Sequence, residues 1–407
     1  MKFNYRSVPI GELCQGIYDG PHATPAPSDS GAIFLGISNF VNGKLNLSPS
    51  SIRYISEEDY PKWTKRVTPK AHDIVFSYEA TLNLYAIIPD GFHGCLGRRM
   101  ALMRPDEDVV DYRFLYYHMF SPAWREEIER YKVNGSTVDR IPLVSFPSFR
   151  VDLPDMRTQK AIADILFAID QKIDSNSKVN DNLQQQAQAI YHSLFVSFDG
   201  ISANQLYETE LGLIPAGWTV KPLSEVTTSI RTKVKENDYK VLSAINTGQL
   251  QLSEEYFNKQ VFSKNISNYI VVEPYDFAYN PARINIGSIG MNNFGFTGCV
   301  SPVYVVVRTE PNYHYFLDFF VKTKRFSEEV KTRSSGSVRQ SLSYADFGQI
   351  KIAYPPAEVV EQFNCEYMAR LKIIEHLKAE NEKLASLRDS LLPKLMSGEI
   401  DVSDIQL

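Results

Sequence analysis

The 407-residue chain is long enough for two or three domains, each with its own hydrophobic core. Its hydrophobic content of 43% and aromatic content of 12% are ordinary for folded proteins and argue against wholesale disorder. The net charge of −5 argues against a polybasic protein that coats nucleic acid without regard to sequence, while leaving room for local basic patches.

The cysteines and the hydropathy of the sequence indicate the cellular compartment of the protein. Cys14, Cys95, Cys299 and Cys365 lie far apart and form no C-x-x-C pair, which predicts reduced thiols rather than a disulfide framework. The N-terminus has no apolar core of signal-peptide length, and no stretch approaches the ~18 apolar residues of a membrane span. We therefore expect a soluble, cytoplasmic protein.

Residues 1–154 are predicted to form a mixed α/β globular domain. Residues 33–37 and 74–76 are strand-like apolar runs bounded by turn formers. Residues 91–97 read as a glycine-rich bend that leads through two arginines into an apolar run. Residues 112–131 have a helical pattern, which residues 134–137 interrupt.

The dominant pattern is a long helix over residues 157–195, whose seam positions recur at alternating steps of three and four residues. This seven-residue period, held for more than four heptads, is typical of a coiled coil. The same ladder recurs in a second helix about 201 positions later. The seam positions of the two helices are Ile162, Leu166, Ile169, Ile173, Asn176, Asn180, Leu183, Ala187, Ile190 and Leu194, then Phe363, Tyr367, Arg370, Ile374, Leu377, Asn381, Leu384, Arg388, Leu391 and Leu395.

The repeat extends beyond the helices and predicts an α+β fold with a pseudo-two-fold internal symmetry. Residues 1–154 and 199–354, the latter including a linker, would be two related globular domains. Residues 155–198 and 355–407 would supply two long helices that form an antiparallel coiled coil, the second followed by a C-terminal tail. Asn180 and Asn381 fall on the same rung of the two copies, where an amide penalises registers that leave it unpaired. The alternative is that each helix is an ordinary amphipathic helix packed on its own domain.

The length of such a coil suggests that it fixes the distance between two DNA-reading sites. A helix of ~35 residues at 1.5 Å per residue would hold two globular heads roughly 50 Å apart. Successive faces of B-DNA recur every ~34–36 Å, so two heads could read two short segments separated by a fixed gap.

Three stretches give the chain a resemblance to the DNA-specificity (S) subunits of type I restriction–modification systems. They read LPDMRTQKAIADIL from residue 153 with DQKI at residues 170–173, LGLIPAGW at residues 211–218, and LLPKLMSGEIDV at residues 391–402. The chain departs from the pattern at residues 355–362, where the helix start is looser, and at Arg370 and Arg388, which interrupt the second seam.

The resemblance implies a non-catalytic subunit of a phage-defence system, with two target-recognition domains that each read one half of a split asymmetric site in double-stranded DNA. Its paired helices would dock two adenine-N6 methyltransferase subunits and set the gap length. Restriction and translocase subunits would join that core. S-adenosylmethionine, ATP and Mg would belong to the partners, with no cofactor, metal or catalytic residue on this chain.

Candidate DNA contacts combine arginine, whose planar fork matches guanine O6 and N7, with small hydroxyl and amide groups suited to phosphates and bases. The alternative for each is a solvated surface charge or a turn. We predict that Arg339→Ala weakens specific binding in a salt-controlled titration, and unchanged affinity would remove this residue. The full set is Arg98, Arg99, Ser136, Thr137, Arg283, Asn285, Arg333, Ser335, Ser337, Arg339 and Gln340.

Other functions fit the sequence less well. His93 and Cys95 lack the second pair of ligands that a zinc site needs. The Asn-Pro-Ala-Arg run at residues 280–283 is similar to the Asn-Pro-Pro-aromatic loop of amino-methyltransferases but lacks the second proline and the aromatic. An orphan modification enzyme would bind S-adenosylmethionine alone, which isothermal titration would detect. A coiled-coil scaffold for proteins would show no methyltransferase-dependent binding to one split site.

Overall fold

The computed structural model describes residues 5–135, 138–257, 262–334 and 341–402. The chain divides into two compact units, one formed by Met1–Ser177 with Leu377–Leu407 and the other by Lys178–His376. Both boundaries fall inside long helices, so each unit contains a globular part and a segment of each long helix.

The globular part of the first unit is built on a four-stranded antiparallel sheet in the order β2-β10-β7-β8. A three-stranded sheet β6-β3-β9 and the pairs β1-β11 and β4-β5 surround it. The strands are β1 (Arg6–Pro9), β2 (Cys14–Asp19), β3 (Ala32–Leu35), β4 (Phe40–Val41), β5 (Lys44–Leu45), β6 (Arg53–Ile55), β7 (Ile74–Ser77), β8 (Tyr85–Ile87), β9 (Gly94–Leu96), β10 (Met100–Pro105) and β11 (Arg150–Leu153).

The central sheet is covered on both faces. In β7, Ile74 and Phe76 belong to the main apolar cluster of the unit, whereas Val75 belongs to a second cluster on the opposite face. In β10, Met103 and Leu102 divide in the same way. Burial of both faces explains why these strands are continuous apolar runs rather than alternating ones. The strand predicted at residues 74–76 is confirmed.

The predicted helix over residues 112–131 is wrong in its continuity. It is two helices, α2 (Tyr112–His118) and α3 (Pro122–Tyr131), preceded in the chain by the short α1 (Tyr60–Trp63). Pro122 favours extended backbone at Ser121, whose ψ is 153°, and the Ser121 side chain accepts a hydrogen bond from the N–H of Trp124. A proline preceded by an N-cap residue therefore starts a new helix.

The predicted glycine-rich bend at residues 91–97 is also wrong in part, because Gly94–Leu96 form strand β9, which pairs in parallel with β3. The two strands approach so closely that a Cβ on Gly97 would lie 1.9 Å from the Leu35 carbonyl oxygen. A Cβ on Gly94 would lie 2.5 Å from the Ile33 oxygen. Glycine is required here by the neighbouring backbone rather than by a turn.

The second unit has its own four-stranded antiparallel sheet in the order β15-β22-β19-β20, with the pairs β12-β13, β14-β23, β16-β17 and β18-β21. Phe277 and Tyr279 pack in its main apolar cluster, and Ala278 packs in another on the opposite face. The strands are β12 (Leu206–Thr209), β13 (Gly212–Pro215), β14 (Thr219–Pro222), β15 (Thr227–Ile230), β16 (Leu242–Ile245), β17 (Gln249–Leu252), β18 (Ile270–Val272), β19 (Phe277–Tyr279), β20 (Ile289–Met291), β21 (Gly298–Val300), β22 (Val305–Thr309) and β23 (Lys351–Tyr354).

The long helices are α4 (Met156–His192), which ends in a π-helical turn at Ser193–Ser197, and α10 (Ala357–Met396). Every seam position predicted for them is buried or partly buried. No helix in the described part of the chain is long and apolar enough to cross a membrane. Between the long helices lie α5 (Leu223–Val226), α6 (Ser253–Tyr256), α7 (His314–Phe320), α8 (Lys324–Arg333) and α9 (Tyr344–Gly348).

Within each unit the two helix segments contact each other in antiparallel order. In the first unit Asn176 Nδ2 donates to Asn381 Oδ1 at 2.9 Å, and Arg388 Nη1 donates to Asp170 Oδ1 at 2.8 Å. In the second unit Arg370 Nε donates to Gln186 Oε1 at 3.4 Å. There the ring centroids of Phe195 and Phe363 are 5.3 Å apart.

The structure adds two details to the predicted seam. Asn381 pairs with Asn176 and not with its sequence equivalent Asn180, because antiparallel partners run in opposite directions while the offset relates equivalent positions. Asn180 is buried, and its Oδ1 has no hydrogen-bond partner within the described residues. Near the end of α4, Tyr191 and Phe195 are buried more deeply than Ile190 and Leu194, since a helix of 3.6 residues per turn drifts from a seven-residue period.

The four cysteines carry free thiols. Burial raises the pKa of Cys95 to about 12. Burial, helped by the Asp238 carboxylate, raises the pKa of Cys299 to about 12. Both side chains therefore act as small apolar residues in the cores of their units.

Candidate nucleic-acid interface

Arg98 and Arg99 lie in the tight turn between β9 and β10. Arg98 is exposed, whereas Arg99 is half-buried with its Nε 3.2 Å from Glu79 Oε1. Arg99 has a φ of +69°, a left-handed conformation that an arginine adopts only under constraint. The constraint fixes the direction of the turn, and Arg98 is the member of the pair that faces solvent.

The structure brings this turn together with residues 139–141, which follow the predicted Ser136 and Thr137 in the chain. The N–H of Tyr78 donates to the Arg99 carbonyl at 3.1 Å, and the N–H of Ile141 donates to the Tyr78 carbonyl at 2.7 Å. The N–H of Ala80 also donates to the Asp139 carbonyl at 3.1 Å. We call this region, residues 78–83, 98–99, 133–135 and 138–141, the first edge. Ser136 and Thr137 lie outside the described residues.

Two further arginines of this region were missed by the sequence analysis. Arg140 is exposed on the first edge, and Arg66 is exposed and ion-paired with Asp19. Burial raises the pKa of Tyr78, with Asp19 and Glu79 adding to the shift while Arg66 and Arg98 oppose it. These charges therefore surround Tyr78. Arg66 could have been suspected from the basic pair it forms with Lys65, but nothing in the sequence links it to residue 98.

In the second unit, Arg283 and Asn285 lie on a compact loop between β19 and β20. The Asn280 side chain accepts from the N–H of Ala282 at 3.1 Å, and the Arg283 carbonyl accepts from the N–H of Ser288 at 3.2 Å. Arg283 is exposed, and Asn285 is partly buried. The Asn280 side chain, which resembled part of a methyltransferase loop, accepts from the backbone N–H two residues later and so stabilises the turn.

A second contact joins this loop to the region after α8. The N–H of Leu342 donates to the Pro281 carbonyl at 3.1 Å. Arg333, at the end of α8, is partly buried and pairs with Glu329 through Nε and Oε2 at 2.9 Å. We call residues 280–288 with residues 333–334 and 341–342 the second edge. Ser335, Ser337, Arg339 and Gln340 lie outside the described residues.

In each edge, a loop that follows a strand of the central sheet is hydrogen-bonded to a segment later in the chain. Each edge also presents an exposed arginine. Arginine can bind guanine or phosphate through its paired N–H groups. Among the residues that the structure describes, no group of three or more His, Cys, Asp or Glu side chains could hold a metal ion.

Comparisons with known proteins agree on one class. The family model of the type I restriction modification DNA specificity domain matches residues 8–185. The chain is 22% identical to the specificity subunit of the HindI type I restriction enzyme of Haemophilus influenzae, covering 90% of this chain and 94% of that protein. It is 23% identical to the MjaIX specificity subunit of Methanocaldococcus jannaschii, covering 89% and 83%.

A solved structure shares the fold. The S subunit of a type I restriction–modification system from M. genitalium aligns with a TM-score of 0.55 at 15% identity, covering 97% of this chain and 96% of that one. At this identity the likeness concerns the fold alone.

Proposed function

The chain belongs to the family of type I restriction–modification DNA-specificity subunits, and from this premise we propose that it reads a split DNA site, one half with each globular part. The observation that carries the proposal is the common construction of the first and second edges. In each, a later segment hydrogen-bonds the loop after a central strand, through Ile141 and Tyr78 in one and Leu342 and Pro281 in the other. Each then presents an exposed arginine, Arg98 or Arg283.

An arginine that binds a buried carboxylate in each unit supports the internal repeat that this proposal requires. In the first unit Arg104 binds Asp73 through two hydrogen bonds, Nε to Oδ1 at 2.8 Å and Nη2 to Oδ2 at 2.7 Å. In the second unit Arg308 binds Asp276 in the same way, at 2.6 and 2.9 Å. Each carboxylate is almost fully buried immediately before a central strand.

A stacked aromatic pair beside each ion pair is also repeated, with its partners exchanged. His72 stacks on Tyr112 with ring centroids 4.0 Å apart, and Tyr275 stacks on His314 at 4.3 Å. His72 and Tyr275 both have a φ of +70°. Such an exchange preserves the stack while changing both residues, as expected of two diverged copies of one domain.

We propose that α4 and α10 form an antiparallel coiled coil that sets the gap length between the two half-sites. The antiparallel order of contacts within each unit supports this arrangement. On this coil two adenine-N6 methyltransferase subunits would dock, and restriction and translocase subunits would join them.

In this proposal the chain is not an enzyme. S-adenosylmethionine, ATP and Mg would be bound by the partner subunits, where methylation, translocation and cleavage take place. This chain would position the DNA, because its loops determine which DNA sequence reaches the active sites of the partners.

The proposal is tested by expressing the chain with the methyltransferase subunit of its own organism in a host without other adenine methylation. Mapping N6-methyladenine across the genome is expected to give one asymmetric motif of two short segments with a fixed gap. Omitting this chain should abolish the methylation. A continuous motif, or methylation that persists without this chain, would contradict the proposal.

We expect Arg98→Ala to weaken binding of the mapped site by about 1–3 kcal/mol, the usual loss for one bidentate arginine–guanine contact. Fluorescence anisotropy of the subunit–methyltransferase complex at fixed salt measures the effect. Arg53→Ala, which removes an exposed arginine of β6 outside the first edge, is the control. A base contact predicts that discrimination changes in one half-site only. A uniform loss across sequences, with a salt slope smaller by about one, would instead identify a phosphate contact.

A further inference from the structure

The first unit contains a buried polar cluster formed by Tyr117, Asp170 and Arg388. The Tyr117 hydroxyl donates to Asp170 Oδ2 at 2.6 Å, and Arg388 Nη1 donates to Asp170 Oδ1 at 2.8 Å. Asp170 is only 5% exposed. Both of its oxygens therefore have a protein partner, so the buried carboxylate is held from two sides.

Tyr117 and Arg388 keep the protonation states that this geometry requires. Burial and the neighbouring Asp170 carboxylate raise the pKa of the Tyr117 hydroxyl, which stays neutral and donates. Burial acts to lower the pKa of Arg388, but its hydrogen bonds to Asp170 and Asp389 raise it overall, so the guanidinium stays charged.

The cluster joins three separate parts of the chain. Tyr117 lies on α2 of the globular part, Asp170 on α4, and Arg388 on α10. An open groove of about 700 Å³ beside it reaches the β4-β5 hairpin. There the Tyr116 hydroxyl donates to the Gly43 carbonyl at 2.6 Å, and Lys44 forms an exposed ion pair with Asp174 of α4. Among these links, the Asp170 cluster is the one with a buried carboxylate.

Stability alone does not explain why this cluster is polar. At an offset of about 201 positions, the residues of the second unit that correspond to Tyr117, Asp170 and Arg388 are Phe319, Leu371 and Ala187, respectively. Phe319 and Leu371 pack against its apolar cluster, and Ala187 is buried. A buried ion pair is often no more stabilising than apolar residues of similar volume, but it is satisfied in only one geometry. The first unit therefore has polar residues at positions where the second unit packs apolar ones.

We propose that Tyr117, Asp170 and Arg388 are positioning residues that hold the first reading domain at one angle on its helices and thereby fix the gap length of the DNA site. The inference rests on the proposed function, since a gap exists only if two domains read one site. A shift of about 3.4 Å at the first edge corresponds to one base pair. Loosening the cluster should therefore admit neighbouring gap lengths without changing either half-site.

The test maps N6-methyladenine in the subunit–methyltransferase complex for Arg388→Met and Tyr117→Phe. Wild type is expected to modify one gap length. Each variant is expected to raise methylation at gaps one base pair shorter or longer by roughly tenfold, with the half-sites unchanged, as the loss of one charged hydrogen bond allows. The triple variant Tyr117→Phe, Asp170→Leu and Arg388→Ala copies the second unit and should show the largest effect.

Arg130→Met is the matched control. Arg130 also binds a buried carboxylate in the first unit, that of Glu127 at 2.7 Å, but both residues lie on α3. The Arg130→Met variant should therefore methylate sites of a single gap length. Tyr117→Phe removes only one hydroxyl group, so it still tests the effect on gap length if Arg388→Met fails to fold. A single wild-type gap in Tyr117→Phe and in the triple variant would overturn the inference while leaving the split site intact. Absence of a split motif in wild type would instead overturn the proposed function.

Discussion

Removing one heptad from each long helix is expected to shorten the gap between the two half-sites by about three base pairs. Seven residues rise roughly 10 Å along a helix, and successive base pairs are about 3.4 Å apart. A seven-residue deletion turns the remaining helix by only about 20°, so the seam continues to face its partner. The expected change is large because it acts on the whole separation between the reading domains.

The deletions must be opposite each other. Residues 182–188 and 369–375 meet this condition in the second unit, because Arg370 donates a hydrogen bond to Gln186 there. Genome-wide mapping of N6-methyladenine measures the new gap, with the half-site sequences as an internal standard. Deleting residues 182–188 alone breaks the register and should abolish methylation. An unchanged gap after the paired deletion would show that the helices do not set the spacing.

The long helices were predictable because their period is a local property of the sequence. Seven-residue spacing identified α4 and α10, and every predicted seam position is at least partly buried. The pairing of Asn381 with Asn176 was not predictable in the same way. The offset of about 201 positions in the sequence predicts which residues are equivalent, but only the packing of the helices determines which residues are opposite. Likewise, Arg388 interrupts the seam in sequence and yet binds the buried Asp170.

The candidate interface was predictable only in fragments. Arg98 and Arg283 were predicted as DNA contacts from their residue type and from the glycine-rich bend or loop in which each lies. Their grouping with later segments depends on backbone hydrogen bonds such as Ile141 to Tyr78 and Leu342 to Pro281. Backbone bonds over such separations have no residue signature, so composition cannot reveal them. The glycines of residues 91–97 misled the prediction for the same reason, since the parallel strand that requires Gly97 lies about 60 residues earlier.

Acidification is expected to destabilise the first unit through His118. This side chain is buried in α2, and neither of its ring nitrogens has a hydrogen-bond partner within the described residues. Its ring lies about 6 Å from those of Phe114 and Trp124. Burial in these apolar surroundings lowers the pKa of His118 to about 4. The folded unit therefore holds the imidazole neutral.

The sign of the pH effect follows from comparing the two states. In the unfolded chain the His118 pKa returns to its ordinary value of about 6.5. Between about pH 6.5 and 4 the unfolded chain binds a proton that the folded chain does not, so the free energy of unfolding falls as the pH falls. Over the full window the loss amounts to about 3 kcal/mol. Above pH 7 this contribution to stability is fully present.

Urea unfolding between pH 7 and 4.5 measures the effect. Trp63 and Trp124 lie in the first unit and Trp218 in the second, so tryptophan fluorescence in a Trp218→Phe background reports the first unit alone. His118→Phe keeps an aromatic ring without a titrating group and should remove most of the acid-induced loss. His93→Gln, which replaces an exposed histidine of the same unit, should leave that loss intact. An equal loss in His118→Phe and wild type would show that other groups cause the acid sensitivity, because a ring that never accepts a proton cannot contribute to it.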